Sequence, residues 1–212
     1  MLAVIQMLTA VEMLLLPVWA GAAVVRSSDA RSPPLDGRSL ARRLCRVPAP
    51  AVLAAAALLA LAALDHGPVA GVLRSQVVAL GFLVLLAGLA VLLDRAACPS
   101  RAQIITALAG WALLAAFILA GPAADRVGGD QQAGLVRLVV HANPLVVAER
   151  ELDLDWLHMA LTYRLTPLGE SYGYLVGDLA WWKTFLAHVF VGSAFLVFGS
   201  TGGRAKARGE PQ

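Results

Sequence analysis

Apolar residues run from Met1 to Val25 with only Gln6, Thr9 and the single charge Glu12 among the polar side chains. A helix needs about 20 mostly apolar residues to cross a bilayer, so this stretch predicts a crossing. No basic residues precede it, which separates it from a secretory signal. Four later apolar runs predict further spans at Val47–Leu64, Val77–Leu93, Ile104–Gly121 and Thr184–Gly199. Pro48 and Pro50 fall where a helix can open with proline. Asp65, His66, Gly67, Pro68 and Arg74 form a short connection between the second and third runs. The pattern predicts an all-α, polytopic integral membrane protein with about five transmembrane helices and short interfacial helices before the last span.

Between Pro122 and Lys183 the pattern changes: short apolar pieces alternate with Asp125, Asp130, Glu149, Glu151, Asp153, Asp155, Glu170 and Asp178. Asn143-Pro144 interrupts this segment, since the residue before proline is pushed away from helix. Two short helices are expected, about Gln131–Ala142 and Leu145–Arg164. Trp156, Tyr163, Tyr172, Tyr174, Trp181 and Trp182 are six of the eight Trp and Tyr residues of the chain. Amphipathic rings gather at headgroup level, which predicts that 122–183 lies on, or dips into, the outer leaflet. The chain thus divides into a four-span region 1–121 with a cytoplasmic loop 26–46, an outer interfacial segment 122–183, a last span 184–199 and a cytoplasmic tail 200–212.

Composition agrees with this pattern: of 212 residues, 59% are hydrophobic and 15% charged, against roughly 25% charged in soluble domains. The net charge of +3 is no nucleic-acid signal, because the basic residues are sorted by loop. Arg26, Arg31, Arg38, Arg42, Arg43, Arg46, Arg95, Arg101, Arg204, Lys206 and Arg208 make eleven of seventeen. With these held in the cytoplasm, the N-terminus lies outside and the C-terminus inside the cell (inner) membrane. Cys45 and Cys98 then face the reducing side and are expected to be free thiols.

Candidate chemistry is sparse. Gln6, Thr9 and Glu12 recur every three residues and share one face of the first helix. A carboxyl at mid-membrane costs about 2.5–3.5 kcal/mol and faces protein or water. Glu12 is either part of a polar transport path or a neutral carboxyl bonded across a helix interface. His66, His141, His158 and His188 collect toward the outer side without metal-ligand spacing, and scattered interfacial histidines account for them. Asp153 and Asp155 alternate on one short stretch and read as a solvated acidic edge. With no nucleophile elbow and no phosphate-cradling glycine loop, no catalytic residue, metal site or cofactor is expected, and the chain is not expected to be an enzyme by itself. Small residues at Ala54–Ala57, at Gly81 with Gly88, and at Ala102 with Ala107 and Gly110 permit close helix approach, in a homo- or hetero-oligomer as well as within one chain.

In the first loop Pro33-Pro34 stops any helix and Asp36 is placed to cap one. Arg38, Leu40, Arg42, Arg43, Leu44 and Arg46 then form a short amphipathic helix with its two leucines on one side. It either lies on anionic headgroups or docks a cytoplasmic partner. The run from Ile5-Gln-Met-Leu8 through Leu14-Leu-Leu-Pro17-Val-Trp-Ala20-Gly-Ala-Ala23, leading into this loop, resembles the second span of type-2 ATP-binding-cassette exporter permeases. The order that follows is similar as well: a short coupling helix, three spans, an outer pair of short helices, and a last span. The resemblance implies a permease subunit starting at that family's second span, with ATP hydrolysed by a separate chain docked on Arg38–Arg46. It also implies an outer gate at Leu135–Leu165. The competing reading is a non-transporting membrane anchor or assembly subunit, holding haem or quinone near its histidines.

Overall fold

The computed structural model describes residues 2–25, 45, 47–64, 66–96, 99–127, 129–154 and 180–201. Its helices are α1 (Leu2–Val24), α2 (Ala49–Leu64), α3 (Val69–Ala96), α4 (Pro99–Val127), α5 (Gly129–Ala142), α6 (Pro144–Arg150) and α7 (Trp181–Thr201). No strand occurs among the described residues. The protein is all-α and has the make-up of a multi-pass membrane protein. Helices α1, α3, α7 and the Pro99–Ile118 part of α4 are long and apolar enough to cross a bilayer. α2 has only 16 residues; at 1.5 Å per residue it covers about 24 Å of a roughly 30 Å hydrocarbon layer. The expectation of about five transmembrane helices is met by four helices of spanning length and one shorter apolar helix, α2.

Two boundaries move for a physical reason. α3 begins at Val69 rather than Val77, directly after Pro68, whose fixed φ suits the entry to a helix. Arg74, Ser75 and Gln76 are consequently inside the helix and not in the preceding loop. α4 opens on Pro99 and continues through Pro122 to Val127, where the apolar run alone suggested a stop. Hydropathy ends where side chains turn polar, but helical hydrogen bonding does not.

α3 is the central helix, with Val78, Ala79, Phe82 and Ala90 wholly buried. α7 runs parallel to it at close range. Gly81 faces Phe185, Gly88 faces Gly192, and Gly199 faces Val91 and Leu92. These glycines are seven apart on each helix, so the close approaches recur on one seam. A Cβ on Gly88 would strike the Gly192 carbonyl, and one on Gly192 would strike the backbone at Val84 and Leu85. Arg95 Nη1 closes the pair by donating to the carbonyls of Phe198 (3.2 Å) and Gly199 (2.8 Å). α1 runs parallel to α3 and antiparallel to α4. Gly21 lies on the Gln103 backbone, Gly110 makes room for the Pro17 ring, and Trp111 Nε1 donates to the Leu14 carbonyl at 2.9 Å.

Leu2, Val69 and Trp181 thus share one end of the bundle, here the upper end; Val24, Ala96 and Thr201 share the lower one. α5 and α6 form a helical hairpin that enters from the upper end with Asn143 at its tip. His188 Nε2 donates to the Ala142 carbonyl at 3.0 Å, which puts the tip about 10 Å below the start of α7 at 1.5 Å per residue. α6 is buried on all sides from Pro144 to Glu149. The hairpin tip is therefore inside the protein, in a segment expected to lie on, or dip into, the outer leaflet. α6 also ends at Arg150 instead of Arg164. Glu151 caps it, and Asp153 takes a positive φ of 59° that no helix continues through.

Candidate functional site

Asn143 builds the hairpin tip. Its Oδ1 accepts from the backbone N–H groups of Leu145 (3.0 Å) and Val146 (3.2 Å), capping α6, with Pro144 at the first helical position. Its Nδ2 donates to the carbonyls of Leu113 (3.2 Å) and Leu114 (2.8 Å) on α4. Asn143 is fully buried, and every one of these bonds replaces water that hydrocarbon surroundings cannot supply. On the far side of the tip, Thr184 Oγ1 donates to the His141 carbonyl at 2.7 Å, and His188 stacks at a tilt on Phe82 with ring centroids 5.9 Å apart. The sequence marked Asn143 only as a helix interruption; its position before proline and after an apolar helix was the available signal.

The three polar residues of α1 point into the seam between α1, α3 and α6. Gln6 Nε2 donates to the Leu152 carbonyl at 2.8 Å. Glu12 Oε2 accepts from Gln76 Nε2 at 2.9 Å, a bond across α1 and α3 whose donor lies in the part of α3 that hydropathy assigned to a loop. Thr9 is wholly buried. Thr9 Oγ1 and Glu12 Oε1 have no hydrogen-bond partner among the described residues.

Glu149 is the residue that sequence reasoning missed. Named in the sequence only as one of the acids of 122–183, it is wholly buried, with neither carboxyl oxygen partnered among the described residues. Leu152 N donates to the Glu149 carbonyl at 3.0 Å. This is a three-residue turn, in which side chains i and i+3 point the same way. Leu152 packs on Ile5 and Val72, so Glu149 faces the α1–α3 seam as well. The Gln6–Leu152 bond sets the register and places Glu149 one turn deeper, at the level of Thr9. Burial pushes the Glu149 carboxyl up to about 8, so it carries a proton at neutral pH. Above the seam, Arg74 Nη1 and Glu151 Oε2 pair at 3.3 Å, and Gly71 admits the Glu151 carbonyl against α3.

Several expected site residues fall elsewhere. Arg38, Leu40, Arg42, Arg43, Leu44 and Arg46 lie outside the described residues, as do Asp155, His158 and most of the expected aromatic belt. His66 sits in the α2–α3 turn with a φ of 50°. Among the described histidines His141 and His188 lie at the hairpin tip, and among the described residues no group of three or more His, Cys, Asp or Glu could hold a metal ion. Cys45 is a free, exposed thiol.

On the outer side of α1 lies an apolar groove of about 530 Å³, walled by α1 and α2 and including Glu12, Leu15, Trp19, Ala51 and Ala54. Trp19 Nε1 donates to the Val47 carbonyl at 3.0 Å, tying α2 to α1 at the lower end. Ile5 packs with Leu58 and Ala62 at the upper end. Comparison with family models, with curated proteins and with solved structures finds no match for this chain.

Proposed function

We propose that the chain is a permease-like membrane subunit of an ABC-type export complex in the cell (inner) membrane, with ATP hydrolysed by a partner chain. The observation that carries this reading is the α5–α6 hairpin. A pair of short helices enters the bundle immediately before the last span and is pinned at its tip by Asn143, which is the place and order the resemblance implies for an outer gate. The charge sorting along the sequence supports placing the upper end outside and the lower end, with the basic Arg38–Arg46 stretch, toward the cytoplasmic ATPase. In this reading Gln6, Thr9, Glu12 and Glu149 line the interior behind the gate, and Asn143 holds the gate shut.

The test is purification from native membranes in a mild detergent. A nucleotide-binding chain should co-purify, and a charge-reversing change across Arg42 and Arg43 should release it while leaving this protein folded. Recovery of this protein alone would refute the assignment. A haem band in the visible spectrum of the purified material would point to the anchor reading instead.

A further inference from the structure

Unpartnered oxygens gather in one seam of the bundle. Thr9 Oγ1, Glu12 Oε1 and both carboxyl oxygens of Glu149 are buried without a hydrogen-bond partner among the described residues, and all three side chains face the meeting of α1, α3 and α6. Thr9 and Glu149 are wholly buried, and Glu12 is 9% exposed. Glu149 stands at the level of Thr9. Glu12 is three residues further along α1, about 4.5 Å deeper at 1.5 Å per residue. Two carboxyl groups thus share a region shielded from water. There a polar atom demands a partner and a charge demands a counter-charge.

The surrounding elements bring no counter-charge to Glu149. α1 carries no Lys, Arg or His. On α3, Arg74 pairs with Glu151 at the rim, and Arg95 is at the lower end on the Phe198 and Gly199 carbonyls. Arg150 follows Glu149 directly, and adjacent helical residues do not face the same way. On α5, Arg137 is exposed and His141 Nδ1 meets the Arg137 carbonyl. On α7, Lys183 is exposed beside the Trp182 ring and His188 is on the Ala142 carbonyl. Asp153 is exposed. The occupant that suits closed-in carboxyl oxygens is a proton, which needs no cavity and turns an acceptor-only group into one that also donates. Burial raises the Glu149 carboxyl to about 8, in keeping with this.

We propose that the α1–α3–α6 seam is an internal proton-binding site, in which Glu149 takes up a proton when the α5–α6 hairpin is seated and releases it when the hairpin withdraws. Glu149 rides on the hairpin. At this end α6 is tied to its neighbours by the Gln6 bond to the Leu152 carbonyl and by the Arg74–Glu151 pair, whose arginine is half exposed. Withdrawal admits water; the Glu149 O–H gives its proton to that water and leaves a hydrated carboxylate. Thr9 Oγ1 and Glu12 Oε1 accept hydrogen bonds from the water that enters. Seating reverses the transfer. The site stands whether or not the chain belongs to an exporter.

Hydrogen exchange of the full-length protein in nanodiscs tests this, with each amide rate divided by that of an unstructured peptide at the same pH. A carboxyl that is protonated when seated and ordinarily acidic when released favours withdrawal as pH rises, by up to about tenfold per unit between its two titration points. Opening of α5 and α6 should therefore increase at least about tenfold from about pH 5 to about pH 7.5, while α3 and α7 stay unchanged. In Glu149→Gln the increase should vanish. If that variant folds poorly, infrared spectra of the native protein supply the readout: a protonated-carboxyl band should be lost as pH is raised through about 8. Exchange that ignores pH, an equal increase in Glu149→Gln, equal loosening of α3 and α7, or a band that persists would overturn the assignment. So would a change on replacing choline by sodium at constant ionic strength, which would make the ligand a metal cation.

Discussion

α3 takes part in two helix interfaces built on opposite principles. Along its lower two-thirds it meets α7 through Gly81, Gly88, Gly192 and Gly199, a dry seam in which backbones nearly touch. Near its upper end it meets α1 and α6 through Gln76, Arg74 and Gly71, a seam that contains Thr9, Glu12 and Glu149 with oxygens left unpartnered. In lipid, apolar association gains nothing from expelling water, so helices adhere through close packing or through polar bonds. The α3–α7 seam uses the first device and is a fixed strut. The α1–α3–α6 seam uses the second incompletely, and incomplete satisfaction is what a moving or ligand-binding part retains.

If that contrast holds, the largest loss should come from the strut. Gly192→Val forces a branched side chain into the Val84–Leu85 backbone, and overpacking of this kind costs about 3 kcal/mol. Loss of the monodisperse protein in detergent, or a sharply lowered melting temperature, checks it. A stable Gly192→Val protein would mean that the close approach of α3 and α7 is dispensable. Asn143→Ala should follow at about 2 kcal/mol, from one helix cap and the bonds to two α4 carbonyls. Here the loss should be local: faster hydrogen exchange or proteolysis in α5 and α6, with the α3–α7 pair intact. Uniform loosening of all helices would remove the distinction between the two regions.

The two interfaces also differed in how far the sequence disclosed them. Gly81 and Gly88 were visible as a close-approach pair because small residues at a helical repeat have one packing consequence. The shared face of Gln6, Thr9 and Glu12 was visible for the same reason of periodicity. Their partners were hidden. Gln76 and Arg74 lie beyond the apolar run that marked the third span, and hydropathy reports contact with lipid, not the extent of a helix. Glu149 was hidden more deeply: α6 has seven residues and is buried all round, so no amphipathic period exists to betray its burial. The solvated acidic edge was read at Asp153 and Asp155, and nothing in the sequence set Glu149 apart from Glu151, which pairs with Arg74. Asn143 was legible as a break but not as a cap, because its second set of partners is on α4, about 30 residues away in sequence.

Glu149 gives a third, more selective test, through pH. Its folded carboxyl titrates near 8, raised by burial from an ordinary value of 4.5. Between those values the folded protein binds more protons than the unfolded chain, so stability falls as pH rises across this window and levels off above it. Glu149→Gln should remove most of that slope while preserving the melting temperature at mildly acidic pH. A thermal-melt series of the two proteins reads the effect directly. A slope unchanged in Glu149→Gln would show that other groups carry the pH dependence and that Glu149 is not the sensitive point of the upper seam.

The smallest effect is expected at the rim of the same seam. Arg74 and Glu151 form an ion pair 3.3 Å long, but the Arg74 side chain is 52% exposed. Such pairs contribute about 0.5 kcal/mol or less, because water and salt already solvate the guanidinium. Arg74→Gln should therefore leave the melting temperature nearly unchanged, and raised salt should shift the native protein just as little. Its value lies in separating depth from chemistry. Glu149 and Glu151 are two residues apart on one chain segment, yet the first faces the bundle interior and the second its edge. A large loss in Arg74→Gln would mean that the rim pair, rather than the buried carboxyl and the Asn143 tip, locks the hairpin into place, and the weight of the polar seam would shift from its floor to its mouth.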